Sequence, residues 1–355
     1  MILLRGNSRK KQKMARKKQP AWAAFADREL LDLRFCDLGL SLTGTVLEVR
    51  VERLYEELAD REIEFRPHCW LSEEWFSPDG VPGIAIAFYL AHPRLMKLER
   101  KMMMEVEGGS ESWCLKLLRH EAGHALDTAF GLSRRVRWRR VFGNPRKPYP
   151  KTYRPKPTSM RYVQHLALWY AQAHPAEDFA ETFAVWLKPR SRWRHDYRSW
   201  PALGKLEYVN ELMGDIAGRK AKVCSRRHVA SIRNLKLTLR DHYAEKRALY
   251  AIDHAELHDQ ELRRLFADNH RAKKNAMTAA TFLRRNRRQL CEVVAFWTGQ
   301  NSYGVHQVLR DMQQRCLELG LRVGQQEEVA MQQAVAMLST HIISYLHSGR
   351  YRIAV

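Results

Sequence analysis

Paired cysteines, late prolines and long apolar runs are all missing from this 355-residue chain. The six cysteines, Cys36, Cys69, Cys114, Cys224, Cys291 and Cys316, are scattered with no C-x-x-C spacing. That excludes a zinc ribbon or a dithiol redox motif and reads as reduced, mostly buried thiols in a reducing compartment. The longest apolar run, VPGIAIAFYLAH (81–92), is too short to span a bilayer. At the N-terminus the few apolar residues precede the charges, the reverse of a signal peptide. The expectation is therefore a cytoplasmic protein with no transmembrane segment. No proline follows Pro201, which favours helices in the second half. Acidic residues are scarce beside basic ones: 39 Asp and Glu face 61 Lys and Arg, a net charge of +22. Such a field attracts nucleic acid, anionic lipid or an acidic polypeptide without choosing among them.

What is present divides into three stretches. Residues 1–20 form a basic tail with no core, expected to be disordered, in which Met14 is an alternative start. Residues 21–215 mix strand and helix patterns. TGTVLEVRVERLYEEL (43–58) opens with strand-like Thr/Val alternation and moves to helical spacing, while REIEFRPHCWLSEEWF (61–76) and GIAIAFYLAHP (83–93) read as strands. Residues 94–110 read as a helix, or a short helix plus a loop, ended by two glycines, and 112–130 as a helix closed by Gly131. Residues 132–160 form a Pro-rich, intensely basic, aromatic insert, a solvated loop unless it overhangs a cleft. A helix starts near Pro175, and WPALGKLEYVNELM (200–213) reads as a packing helix. From 216 to 355 helical spacing dominates, beginning with ASIRNLKLTLRDHYAEKRALYAI (230–252). The fold class expected is α+β, a small mixed sheet with site-bearing helices, followed by an all-helical region.

LLRHEAGHALDTAF (117–130) carries the chemistry. Residues four apart share a helix face, so His120 and His124 can turn ring nitrogens to one Zn2+. Glu121 stays beside the open side of such an ion, where a carboxylate can take a proton from water. Gly123 allows a neighbouring helix or a ligand to approach. HAELH (254–258) repeats the histidine spacing but misplaces the glutamate, and reads as a solvated face. A zinc site needs a further protein ligand. Asp127 and Phe130 exclude the metzincin pattern, and AEDFAETF (176–183) offers Glu177 and Glu181 on one helix face. One of these carboxylates can complete the site while the other accepts from a ligating histidine. His165 and His174 are weaker alternatives, a packed polar residue and a helix cap.

HEAGH followed by YAQAHPAEDFAE (170–181) resembles the gluzincin branch of the zincin metallopeptidases. It is most similar to the catalytic domain of anthrax lethal factor and its bacterial relatives. The resemblance spans about residues 113–187. It implies His120, His124 and Glu177 as zinc ligands and Glu121 as general base. It further implies Glu181 as a carboxylate behind the ligands, Tyr170 as the oxyanion-stabilising hydroxyl, and an acidic residue at Asp127. The chain departs from the family in its basic insert and at Asp178, where the relatives prefer an aromatic residue. A zincin cleft implies that the strand GIAIAFYLAH pairs with an extended substrate. The expected partner is a polypeptide, acidic if the insert overhangs the cleft. The other candidate is nucleic acid, bound through the tail, the insert and the basic run at 271–288, with the zinc site auxiliary or structural.

Overall fold

A computed structural model of the chain describes residues 19–250, 259–268, 276–347 and 353–354. The basic tail up to residue 18, HAELH and residues 271–275 lie outside the described residues. The described part is mostly helical with a two-stranded parallel sheet, an α+β arrangement. None of its helices is long and apolar enough to cross a membrane. All six cysteines are free, three of them buried.

Helix α1 (Val46–Ala59) buries Leu47, Val51, Leu54 and Leu58, the i, i+4, i+7, i+11 stripe of an amphipathic helix. The strand expected at its start is absent. Val46 and Val49 are instead 56% and 64% exposed on the outer helix face, because the leucine spacing overrides the local β-branched preference. Each fully buried leucine of that stripe contributes roughly 1.5–3 kcal/mol. Strand β1 (His68–Ser72) begins one residue after Pro67 and pairs in parallel with β2 (Gly83–Ala87), His68 opposite Gly83 and Ser72 opposite Ala87. Gly83 is required there, since a Cβ would lie 2.5 Å from the His68 ring. β2 is shorter than its pattern predicts: Phe88–Ala91 turns into a 3-10 helix before Pro93.

The expected role of β2 as an open edge is not met. All five of its residues are buried. Its free side is bridged by Phe76, which exchanges hydrogen bonds with Ala85: the Ala85 N–H donates at 2.8 Å and the Phe76 N–H at 3.4 Å. A turn closed by the Val81 N–H on the Pro78 carbonyl folds residues 75–77 onto that side. An extended ligand would have to displace Phe76.

Helix α2 (Pro93–Met103) follows, then α3 (Glu111–Phe130), capped by the Ser110 hydroxyl and closed by Gly131 at φ 63°. The basic insert is not a bare loop. It begins with a 3-10 turn and α4 (Val136–Phe142), whose Trp138 is fully buried. Its later part contains β3 (Thr152–Tyr153), paired antiparallel with β4 (Ile353–Ala354) from the chain end. Helix α5 (Pro175–Leu187) has proline at its first turn and His174 as cap. Helix α6 (Leu203–Ile216) packs on α5.

The first apolar core runs from Trp22 to Tyr243 and includes Ile232, Leu239 and Tyr243, which the sequence pattern assigned to the helical second half. Residues 230–238 are not helical. They form isolated bridges, Ser231 with Ser72 and Thr238 with Arg34, and helix α7 spans only Leu239–Leu249. A separate core, from Leu262 to Ile342, is built by α8 (Asp259–Leu265), α9 (Ala279–Arg285), α10 (Arg287–Thr298), α11 (Ser302–Glu318) and α12 (Glu327–His347).

Candidate metal centre

α3 and α5 make the most extensive helix contact in the molecule, and small residues set their spacing. A Cβ on Gly123 would lie 2.9 Å from Cα of Ala180. The glycine that sequence reading reserved for close approach therefore serves helix packing. Buried Arg119, one residue before the motif, donates to both oxygens of buried Glu57 at 2.7 and 2.8 Å, fixing α3 to α1.

On the facing side, Nε2 of His120, Nε2 of His124 and Oε2 of Glu177 form a triangle with edges of 2.9, 3.2 and 3.2 Å. A tetrahedral zinc site with bonds of about 2.0–2.1 Å has ligand–ligand edges of roughly 3.3 Å. The three donors thus stand where a zinc ion would need them, and they are of the types zinc selects. They are also a cluster able to hold a metal ion among the described residues.

The surrounding groups orient this triangle. Glu181, fully buried, presents Oε1 at 2.9 Å from Nδ1 of His120 and accepts the Leu166 N–H on Oε2 at 2.9 Å. A proton on Nδ1 leaves the Nε2 lone pair of His120 free to ligate. Tyr149, from the basic insert, donates its hydroxyl to Oε1 of Glu177 at 2.9 Å. Sequence reasoning missed this residue: an aromatic among prolines, 28 positions from Glu177, carries no spacing signal.

Glu121 is 7% exposed, and its Oε2 is buried with no hydrogen-bond partner among the described residues. Burial pushes its pKa up, against the lowering effect of His120 and His124. A buried, unsatisfied carboxylate oxygen is costly unless something not in the protein chain completes it. The ring of Tyr170 lies 5.7 Å from that of His120, and its hydroxyl makes no hydrogen bond to described residues. Burial holds that phenol far above its usual pKa, so it stays protonated as a donor.

The charges of the triangle's three side chains depend on one another. Burial works against a charge on His120, but hydrogen bonds to Glu177 and Glu181 outweigh it and raise its pKa well above the usual value. Burial likewise works against the Glu177 charge, and the two histidines outweigh it, holding that carboxyl well below its ordinary range.

The remaining candidates lie apart. Asp127 accepts the Ser133 N–H at 2.7 Å and shapes the turn after α3. His165 meets the Lys116 carbonyl at 3.0 Å, and His174 caps α5 through Ala176 N–H at 3.2 Å. Asp178 points away from the metal triangle to Lys205 of α6, at 2.6 Å; burial raises it to about 7 despite that cation. An aromatic residue there would leave Lys205 without this partner.

The triangle, Tyr170 and Tyr149 line one large cleft. Its lining includes Arg134, Arg139, Arg146 and Lys147 of the insert as well as Glu73, Glu74, Glu105 and Glu107. The α10–α11 junction borders it, where the Ser302 hydroxyl donates to Glu105 at 3.0 Å.

A model of the family described as "Putative zinc-binding metallo-peptidase" matches residues 102–193, a stretch that includes α3, the insert and α5. The match supports a metallopeptidase of that general kind with a zinc-binding site. No curated protein and no solved structure matches the chain.

Proposed function

We propose that this protein is a zinc-dependent metallopeptidase of the gluzincin type, with His120, His124 and Glu177 holding the ion. The observation that carries the reading is the Nε2–Nε2–Oε2 triangle of 2.9–3.2 Å edges beside the unpartnered carboxylate oxygen of Glu121. Zinc at such a site acts as a Lewis acid, lowering the pKa of a water to about 7 and polarising a carbonyl. Glu121 accepts the proton of the attacking water and passes it to the leaving amine, a role suited to a carboxylate whose pKa burial has raised. The Tyr170 hydroxyl donates to the developing oxyanion. Glu181 keeps His120 in the ligating tautomer.

The substrate is a polypeptide lying along the cleft. The insert's cations in the cleft lining favour acidic residues beside them. The two apolar cores support a division of the chain near residue 250, with the second, helical unit bordering the cleft. Two of the insert's arginines face acids of α6, Arg135 on Asp215 and Arg137 on Glu211, which draws charge away from any outward nucleic-acid surface.

The test is zinc content of the purified protein beside His124→Ala and Glu177→Ala, with peptide-library cleavage beside Glu121→Gln. One zinc per chain, lost in both ligand variants, and cleavage reduced about 10²–10⁴-fold in Glu121→Gln with zinc retained are the expected results. A zinc-loaded wild type that cleaves no peptide but binds DNA or RNA with a steep salt dependence would replace the peptidase by a nucleic-acid-associated protein with an auxiliary site.

A further inference from the structure

Three contacts fasten the Lys147–Tyr149 stretch of the insert to the start of α5. His174, 4% exposed, accepts the Ala176 N–H on Nδ1 at 3.2 Å and so carries its proton on Nε2, which donates to the Lys147 carbonyl at 2.9 Å. The Tyr149 ring stacks on that imidazole with centroids 3.9 Å apart and planes 22° apart. The Tyr149 hydroxyl reaches Oε1 of Glu177 at 2.9 Å.

We propose that Tyr149 is a ligand-positioning residue that engages the outer oxygen of Glu177 so that only Oε2 faces His120 and His124, with His174 as the platform that holds it. The proposal rests on the reading of Glu177 as a metal ligand. A carboxylate with both oxygens free can ligate through either or both, and a second oxygen would occupy the position a substrate needs. A hydroxyl donating to Oε1 biases the group to one-oxygen ligation and adds a charge-assisted hydrogen bond. Tyr149 is 50% exposed, so beyond its stack on His174 the ring has little packing role, and its hydroxyl could be satisfied by water. It is instead directed inward at a buried ligand. Tyr170, the phenol implied by the family resemblance, makes no such contact. The two tyrosines therefore divide the work, one tied to the ligand and one free for the substrate.

Tyr149→Phe in the full chain keeps the stacking and removes only the hydroxyl. Zinc affinity, measured against a competing chelator, is expected to fall about 10–100-fold, the usual cost of losing a partner behind a ligand. The absorption spectrum of the Co2+-loaded variant should weaken in its visible bands, as coordination rises above four, a change that the loss of one hydrogen bond from the fold would not by itself produce. His174→Phe, which keeps a ring but loses both hydrogen bonds, should shift zinc affinity in the same direction. Wild-type zinc affinity together with an unchanged Co2+ spectrum in Tyr149→Phe would overturn the assignment. A wild type that binds no zinc would instead remove the ligand set itself, and the metallopeptidase reading with it.

Discussion

Nδ1 of His120 and Oε1 of Glu181 meet at 2.9 Å, although 61 residues separate them and both side chains are almost wholly buried. The contact joins α3 to α5 and fixes which nitrogen of the histidine is free. Glu181→Ala should therefore lower zinc affinity about 10–100-fold while leaving all three ligands in place. Glu181→Gln keeps an acceptor for Nδ1 and should lose less. A competition titration across both variants decides it, and unchanged affinity in Glu181→Ala would leave the carboxylate with a packing role only.

Gly123→Ala tests whether the helix spacing sets the site. The added methyl would stand 2.9 Å from the backbone of Ala180, which cannot swing aside as a flexible side chain can. Overpacking of this kind costs about 1–3 kcal/mol. Denaturant titration should show the loss in the metal-free protein. Zinc affinity should fall as well, because α5 carries Glu177 away from the histidines. Full stability with full affinity would show that the contact relaxes freely.

How far such features could be read from the sequence differs along the chain. The two helices of the candidate site were legible because period and chemistry coincide: His120 and His124 share a helix face, Glu177 and Glu181 share another, and Pro175 marks a start. The start of α1 was misread because its valines are locally strand-like, whereas the leucine stripe that decides the outcome spans the whole helix. β2 reads as a strand in isolation, but the covering of its edge by Phe76 depends on a turn at 78–81 that no periodicity shows. The insert looked like solvent-exposed chain because its charges hide two anchors, Trp138 and Phe142, that pack against Phe179. Tyr149 was invisible because its partners, His174 and Glu177, are remote in sequence and met only in the fold.

Acidity should act oppositely on the metal-free and zinc-loaded protein. The raised pKa of His120 gives the metal-free fold a stabilisation fully present below the ordinary histidine value of 6.5 and lost as pH rises through the raised value. The depressed Glu177 contributes above its ordinary 4.5 and is lost as pH falls through its lowered value. Together they favour the metal-free fold most between about 4.5 and 6.5. Zinc must displace the His120 proton, so its affinity should rise with pH across the raised histidine value, with protons released on binding. Melting temperatures of both forms across pH, with proton release followed in a weak buffer, test this. Affinity independent of pH would mean that the histidines are neutral before the metal arrives.

The cations that the insert contributes to the cleft make a prediction about substrate polarity. Arg146 and Lys147 of the insert line the cleft, so a peptide with an acidic half and a basic half is favoured with its acidic half beside them. These charges are exposed, which limits each to about 0.2–1 kcal/mol, yet several acting together would favour one orientation about 3–10-fold. Two peptides with the same central residues and exchanged charged halves should therefore be cleaved at different kcat/KM, and rising salt should shrink the difference. The double variant Arg146→Glu and Lys147→Glu, which spares the metal ligands and Tyr149, should abolish or invert the preference without loss of zinc. Equal cleavage of both peptides at low salt would show that these cations do not touch the substrate. The roles proposed for Glu121 and the metal triangle would be untouched, but the basic insert would owe its charge to something other than substrate choice.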